Sequence, residues 1–373
     1  MTKTLVLSLF AIACTLVVTA QPQSTDLTFT DDLVIPVLPV EDQGSTGTCW
    51  SFSTASFLEA EVKKMGGVAI DLSEMFFVRK IYVDKAEKYL RWHGKANFSE
   101  GSLGHDVVRM LKVHGALPEQ VYAGLLDGRE RHNHAVLVRE LKKFLDDMIR
   151  SGRIANDWKD RFASILDKHL GPLPSTFSYE GESYNAKTFA ETHFPFVLND
   201  FVNLTSFQQY PYWRSIVLEI PDNYAHESYW NVPIDTLLQI TIDAIEAGHS
   251  VVWDCDVSEK GFLQQEGLAI IGDNSGMQLT GNQDEIASIA GHRQTSFASY
   301  DLTDDHLMHI IGIARDQGEN PYFYVKNSWG LYSGRSGYLY VSLPYFMKNT
   351  IGIMLNKDAI TPNIVANMQD QHH

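Results

Sequence analysis

The sharpest chemistry in this sequence belongs to one cysteine at the opening of a helical pattern. Val40-Glu41-Asp42-Gln43-Gly44-Ser45-Thr46-Gly47-Thr48 is a glycine-bearing loop that leads into Cys49-Trp50-Ser51-Phe52-Ser53. Downstream, Trp50, Thr54, Phe57, Leu58, Glu61, Val62 and Met65 recur at spacings of three and four until Gly66-Gly67. This predicts an amphipathic helix with Thr48 as its N-cap and Cys49 in its first turn. There the helix dipole and the unpaired N–H groups favour a thiolate, the form of sulfur that attacks a carbonyl carbon. The competing use of such a residue is as a small buried hydrophobe. Nucleophilic catalysis also needs a base, a group that orients the base and donors for the oxyanion.

A second region can supply them. Asp304-Asp305-His306-Leu307-Met308-His309-Ile310-Ile311-Gly312-Ile313 and Tyr322-Phe323-Tyr324-Val325-Lys326-Asn327-Ser328-Trp329-Gly330 both read as apolar strands. Arg315 to Pro321 between them is rich in turn residues, so a hairpin is expected. It would bring a histidine at the start of one strand near an asparagine at the end of the next. His306 and His309 differ by an odd number of positions and should face opposite sides.

Gln43-Gly44-Ser45 with Cys49-Trp50-Ser51-Phe52-Ser53, Asp305-His306, and Asn327-Ser328-Trp329-Gly330 resemble, in this order, the signature blocks of papain-like cysteine peptidases. The resemblance implies an α+β, two-lobed papain-like fold, with a helical lobe beside an antiparallel, barrel-like lobe and an inserted helical segment. It also implies roles. Cys49 is the nucleophile and His306 its base, since the family's histidine stands six positions before the strand glycine, here Gly312; His309 is the weaker claimant. Asn327 would accept the other imidazole N–H. Gln43 would donate its side-chain amide to the oxyanion beside the Cys49 N–H, and Trp329 would shield the Asn–His contact. No cofactor and no metal are implied.

Departures from papain itself point to a branch. At Thr46 secreted papains carry a disulfide cysteine. Residues 21–40 are too few for a helical inhibitory pro-domain. Asp106-Val107-Val108 through Gly115-Ala116-Leu117-Pro118-Glu119-Gln120-Val121-Tyr122, and Asn231-Val232-Pro233 through Val251-Val252-Trp253-Asp254-Cys255-Asp256-Val257, are similar to blocks of the bleomycin hydrolase and aminopeptidase C group. That group owes its aminopeptidase behaviour to a C-terminal arm in the cleft, and Thr361 to His373 is short for one, so exopeptidase and endopeptidase action both stay open. Glu130 to His169 reads as an inserted helical hairpin, with Val136, Leu137, Leu141, Phe144, Leu145 and Met148 at helical spacing. His132 and His134 at its start are expected to be solvated. Cys255 reads as a structural residue on a buried strand, and a Cys49–Cys255 disulfide is the bland alternative to a reactive Cys49.

The whole chain fits an exported globular protein. Of its 373 residues 44% are hydrophobic, which supports a sizeable core. Lys plus Arg total 30 against 46 Asp plus Glu, and no basic run tracks a phosphate backbone, which argues against nucleic acid. Lys3, the apolar run Leu5 to Val18 and Val18-Thr19-Ala20 form a signal-peptide pattern, with cleavage expected after Ala20 and a periplasmic or secreted product. A lipobox at Cys14 is the minor alternative. The expected organisation is a signal peptide (1–20) and a peptidase domain (21–373). The latter divides into a helical lobe near 41–125, an insertion near 126–200, a β-rich lobe near 201–360 and a tail at 361–373. Peptides are the expected partners, with no stable membrane insertion after cleavage and an open oligomeric state. The function expected is a cysteine peptidase working through a Cys49 thioester. Its competitors are a non-catalytic papain-fold binding protein and an acyltransferase.

Overall fold

The computed structural model describes residues 27–126, 128–195, 201–271 and 282–369. The expected signal peptide lies outside them. The first part of the chain is helical: β1 (Phe29–Val34) is followed by α1 (Cys49–Lys64), α2 (Glu74–Arg91), α3 (Gly104–His114), α4 (Ala135–Ser151) and α5 (Trp158–Leu170). A small hairpin, β2 (Phe177–Tyr179) and β3 (Glu182–Tyr184), leads to α6 (Ala186–His193). The second part is strand-rich. It holds β4 (Phe201–Thr205), β5 (Arg214–Val217), β6 (Ser228–Asn231), α7 (Ile234–Glu246), β7 (Val251–Cys255), β8 (Phe262–Leu263) and β9 (Leu268–Ala269). Then come α8 (Gln283–Ser299), β10 (His306–Asp316), β11 (Pro321–Lys326), β12 (Tyr338–Ser342), α9 (Leu343–Asn349), β13 (Thr350–Asn356) and α10 (Pro362–Gln369).

Among the described residues one mixed sheet runs β5-β6-β4-β13-β7-β10-β11-β12-β9-β8. Its central strand, β10, changes neighbours along its length. His306–Ile310 pairs with β7, and Gly312–Asp316 pairs with β1, while β11 follows on the other side. Gly312 stands where β1 closes in. A Cβ there would run into the Leu33 carbonyl oxygen, so the close backbone approach itself demands glycine. The expected hairpin is present, with Asn327 immediately after β11.

α1 departs from the amphipathic expectation. Every residue from Cys49 to Val62 is buried, because the helix is packed between α2 and α3 on one side and β10 on the other. Its two internal acids are therefore matched from outside. Glu59 accepts the Leu72 N–H at 2.9 Å, and Glu61 accepts from Asn356 Nδ2 at 2.8 Å and faces His249 Nδ1 at 3.0 Å. A helix that is buried all round shows little moment, and the apolar spacing alone could not reveal that its polar positions were inside too. One hydrophobic core joins α1–α6, including Trp50, Phe57, Phe76, Tyr82 and Phe162. A second lies inside the strand-rich part, around Trp253, Met308, Phe323 and Phe346. α10 packs on this second core through Ile364, Val365 and Met368. The helical hairpin read from residues 130–169 is α4 against α5.

Candidate active site

α1 begins at Cys49, so the sulfur lies in a turn whose first backbone N–H groups have no partner within the helix. Thr48 holds the N-cap position, but its side chain does not cap. Its hydroxyl pairs instead with Thr46 Oγ1 at 2.6 Å, and Thr46 Oγ1 donates to the Gln43 carbonyl at 2.8 Å. These hydroxyl contacts brace the Gln43–Thr48 loop internally. Trp50 Nε1 shares its proton between the carbonyls of Gly47 (3.1 Å) and Glu100 (3.0 Å), tying the start of α1 to the loop between α2 and α3.

β10 delivers the second group. The Leu307 N–H points at Cys49 Sγ from 3.5 Å. Two standard bond lengths further on is His306 Cα, which places it within about 6 Å of the sulfur. His306 is buried, and its Nε2 lies 2.8 Å from Asn327 Oδ1. The Ser328 N–H donates to the same Oδ1 at 2.8 Å. An atom that takes a backbone N–H is an acceptor, so Nε2 must be the donor and Nδ1 is left as the basic nitrogen of the neutral ring. Trp329 stacks on the imidazole, with centroids 4.4 Å apart and planes at 27°. His309, on the other face of β10, is held against α1 by Ser56 Oγ at 3.0 Å. The strand alternation thus separates the two histidines as expected.

Gln43 is buried beside them. Its Oε1 accepts from Ser328 Oγ at 2.6 Å, and its Nε2 donates to the Thr46 carbonyl at 2.6 Å, which leaves one amide hydrogen uncommitted. The loop is stapled to the end of β11 by Gln43 N–H to Ser328 O and Gly330 N–H to Glu41 O. It is also buttressed from the insertion. Ser45 N–H donates to the His132 carbonyl at 2.8 Å, and His134 N–H donates to Ser45 O at 3.3 Å. Gly44 has a φ of +68°, with the His132 backbone against its Cα. The expectation of solvated histidines is therefore corrected. His134 is buried, its Nδ1 3.1 Å from the Tyr82 phenol oxygen, because the segment before α4 packs as a brace on the Gln43 loop. Both Cys49 and Cys255 are free thiols, and Cys255 is buried within β7.

Comparison with known families agrees with this geometry. The family model described as Peptidase C1-like family matches residues 107–373, and that of the papain family cysteine protease matches residues 21–79. The chain belongs to the Peptidase C1-like family. Curated relatives of this C1-like peptidase include aminopeptidase G of Lactobacillus delbrueckii subsp. lactis, 23% identical over 88% of this chain and 83% of the relative. Aminopeptidase C of Streptococcus thermophilus is 23% identical (88% and 82%), and bleomycin hydrolase of Gallus gallus is 21% identical (89% and 83%). Among solved structures, PepW from Lactobacillus rhamnosis superposes with a TM-score of 0.67 at 16% identity, covering 92% of this chain and 85% of that one. The protein is thus a papain-like cysteine peptidase of α+β fold.

Electrostatics at the C1-like site favour a neutral thiol beside a neutral imidazole. Burial pushes the Cys49 thiol up to about 12; the Leu307 N–H opposes this, and Asp222, Asp304 and Asp254 add to it. Burial lowers the His306 imidazole to about 4, with the Asn327 contact opposing. Passing the sulfur's proton to the ring at rest would cost about 11 kcal/mol for this gap, and opposite charges 4 Å apart return only about 4 kcal/mol at an effective dielectric of 20, so the resting pair is neutral and the proton moves as the sulfur attacks. Two contributors escaped the sequence reading. One is Ser328, whose hydroxyl orients Gln43. The other is Asp254, the one charged residue of β7, directly after the apolar run Val251-Val252-Trp253, which was the available signal.

Proposed function

We propose that this peptidase hydrolyses peptide bonds through a thioester on Cys49 and acts on the amino-terminal residue of its substrates. The reading rests above all on the Leu307 N–H contact to Cys49 Sγ, which puts the sulfur beside a histidine already anchored by Asn327. Sulfur gives its proton to His306 Nδ1 and attacks the carbonyl carbon. The oxyanion takes hydrogen bonds from the Cys49 N–H and the uncommitted Gln43 amide hydrogen. His306 returns the proton to the leaving amine, then takes one from water, whose hydroxide resolves the thioester to the free acid and restores the thiol. Asn327 keeps Nε2 protonated throughout, so that Nδ1 serves the sulfur. Trp329 covers this contact from water.

The exopeptidase part draws on the aminopeptidase names of the relatives. A fluorogenic aminoacyl substrate and its acetylated twin test both parts. Cys49→Ala should abolish turnover of either, and the wild-type enzyme should strongly favour the free amine; equal rates would leave an endopeptidase-type enzyme. Export to the periplasm or beyond draws on Lys3, the Leu5–Val18 run and Val18-Thr19-Ala20, and amino-terminal sequencing of the mature protein should find Gln21 first.

A further inference from the structure

β7, the start of β10, the N-terminus of α3 and β13 line a small recess with room for about one water-sized group. Asp254, Leu307, Gly104, Tyr229 and Met354 are among its walls. Asp254 is 4% exposed, and neither of its carboxylate oxygens meets a donor. Its electrostatic neighbour is another carboxyl, Asp304, which has an orphaned oxygen of its own. Asp254 is paired directly across the strands with Leu307, the residue whose N–H reaches Cys49 Sγ at 3.5 Å. Opposed side chains stand on the same face of a sheet, so Asp254 looks toward α1 as Leu307 does. Adding the N–Cα bond and one interstrand step bounds Asp254 Cα at about 10 Å from the sulfur.

Positive charge is scarce around these acids. On the facing wall the Asp222 carboxylate packs against Gly101 Cα, and the buried Lys85, which donates to the Gly101 carbonyl, offsets part of its charge. Asp106 is already matched by Arg109 at 2.7 Å. Among the described residues Lys85 therefore bears on Asp222 and Asp304, and no donor reaches Asp254. Burial and Asp304 hold Asp254 well above the usual carboxylate range, and burial with Asp222 pushes Asp304 up to about 8. A proton shared between the two carboxyls fills the place when nothing else does. A buried carboxyl whose polar neighbour is only another carboxyl adds little to the stability of the fold.

We propose that Asp254, backed by Asp304, receives the free α-ammonium group of the substrate. This rests on the aminopeptidase reading and names the residues that would enforce it. The α-nitrogen is two bonds from the carbonyl carbon that Cys49 attacks, so it must lie a few ångströms from the sulfur, on the side where Leu307 and Asp254 face the cleft. An ammonium is about the size of a water molecule and suits the hollow. An acetylated nitrogen has no charge to offer and brings a group too large for it. Binding leaves the ammonium protonated and releases the carboxyls' shared proton to solvent; no covalent bond changes.

Asp254→Asn and Asp304→Asn test this with leucyl-7-amido-4-methylcoumarin and its acetylated twin, alongside iodoacetamide labelling of Cys49. Losing a charge-assisted contact should lower kcat/KM for the free-amine substrate about 10- to 100-fold relative to the acetylated one, while Cys49 labelling is no slower than in the wild type, because both acids hold the thiol up. A fall of both substrates in proportion, or of neither, overturns the assignment. Should one variant fail to fold, the other reads the same ratio. A wild-type enzyme indifferent to acetylation sinks the aminopeptidase reading and this inference with it, whereas a wild-type preference that survives both substitutions sinks this inference alone.

Discussion

Asn327→Ala isolates the part of the site that orients the base. In the wild-type protein Asn327 Oδ1 accepts two donors at 2.8 Å, His306 Nε2–H and the Ser328 N–H, in a place that water scarcely reaches. Removing it leaves two buried donors unpaired, at about 1–3 kcal/mol each, so a stability loss of about 2–5 kcal/mol is expected. The ring is then held by its stack on Trp329, worth about 0.5–1.5 kcal/mol, and the preference for a protonated Nε2 disappears. A transition-state loss of about 1.5–3 kcal/mol corresponds to about a 10- to 100-fold lower kcat/KM. KM should change little, because Asn327 does not touch substrate. Steady-state kinetics on a coumarin-labelled peptide, beside thermal melts, would measure both effects. Asn327→Asp should restore the acceptor and, by adding negative charge beside the ring, move the acid limb of the pH profile upward. The reasoning is refuted if Asn327→Ala melts early yet keeps kcat/KM within twofold of wild type, for Asn327 would then be structural only.

The pH profile of kcat/KM should be broad. Its acid limb lies near 4, where His306 gains a second proton for the pair, and the pair itself imposes no alkaline limb until about 12. Stopped assays of an acetylated substrate, which has no titrating amine, from about pH 3.5 to 10 would show it. Glu59 bears on stability in the opposite sense to an ordinary carboxylate, since burial raises it to about 8 in the folded protein. Its contribution is complete below about pH 4.5 and is lost as pH rises toward 8, so Glu59→Gln should stabilise the fold at pH 7, by up to about 3 kcal/mol, and change little at pH 4.5, as read by denaturant melts. Gly312→Ala should cost about 1–3 kcal/mol by forcing β1 off β10, seen as a lower Tm and faster amide exchange at Phe29–Val34.

Much of the site was legible because its parts are local in sequence. The Gln43–Cys49 loop runs straight into a helix, and the His306–Asn327 pair spans a single hairpin, so local patterns gave the elements while the family resemblance supplied the residues' roles. What resisted was contact between distant segments. The burial of Glu59, Glu61 and His134 follows from α1 and the segment before α4 being enclosed by later elements, and a polar residue announces no such enclosure in advance. Thr48 was recognisable as a cap position, yet its hydroxyl bonds Thr46 because that loop needed bracing. Asp254 belongs to the same class: one charge in an apolar strand, whose meaning depends on which face of β7 looks at Cys49.

The whole account turns on proton sharing between Cys49 and His306. Its most direct measurement is the rate of Cys49 alkylation by iodoacetamide as a function of pH, in the wild-type protein and in His306→Ala. Rapid alkylation at pH 6 in the wild type, falling at least tenfold in His306→Ala and recovering only in strong alkali, is the expected pattern. Equal rates with the same pH dependence in the two proteins would mean that the imidazole does not act on the sulfur, and the mechanism would fall.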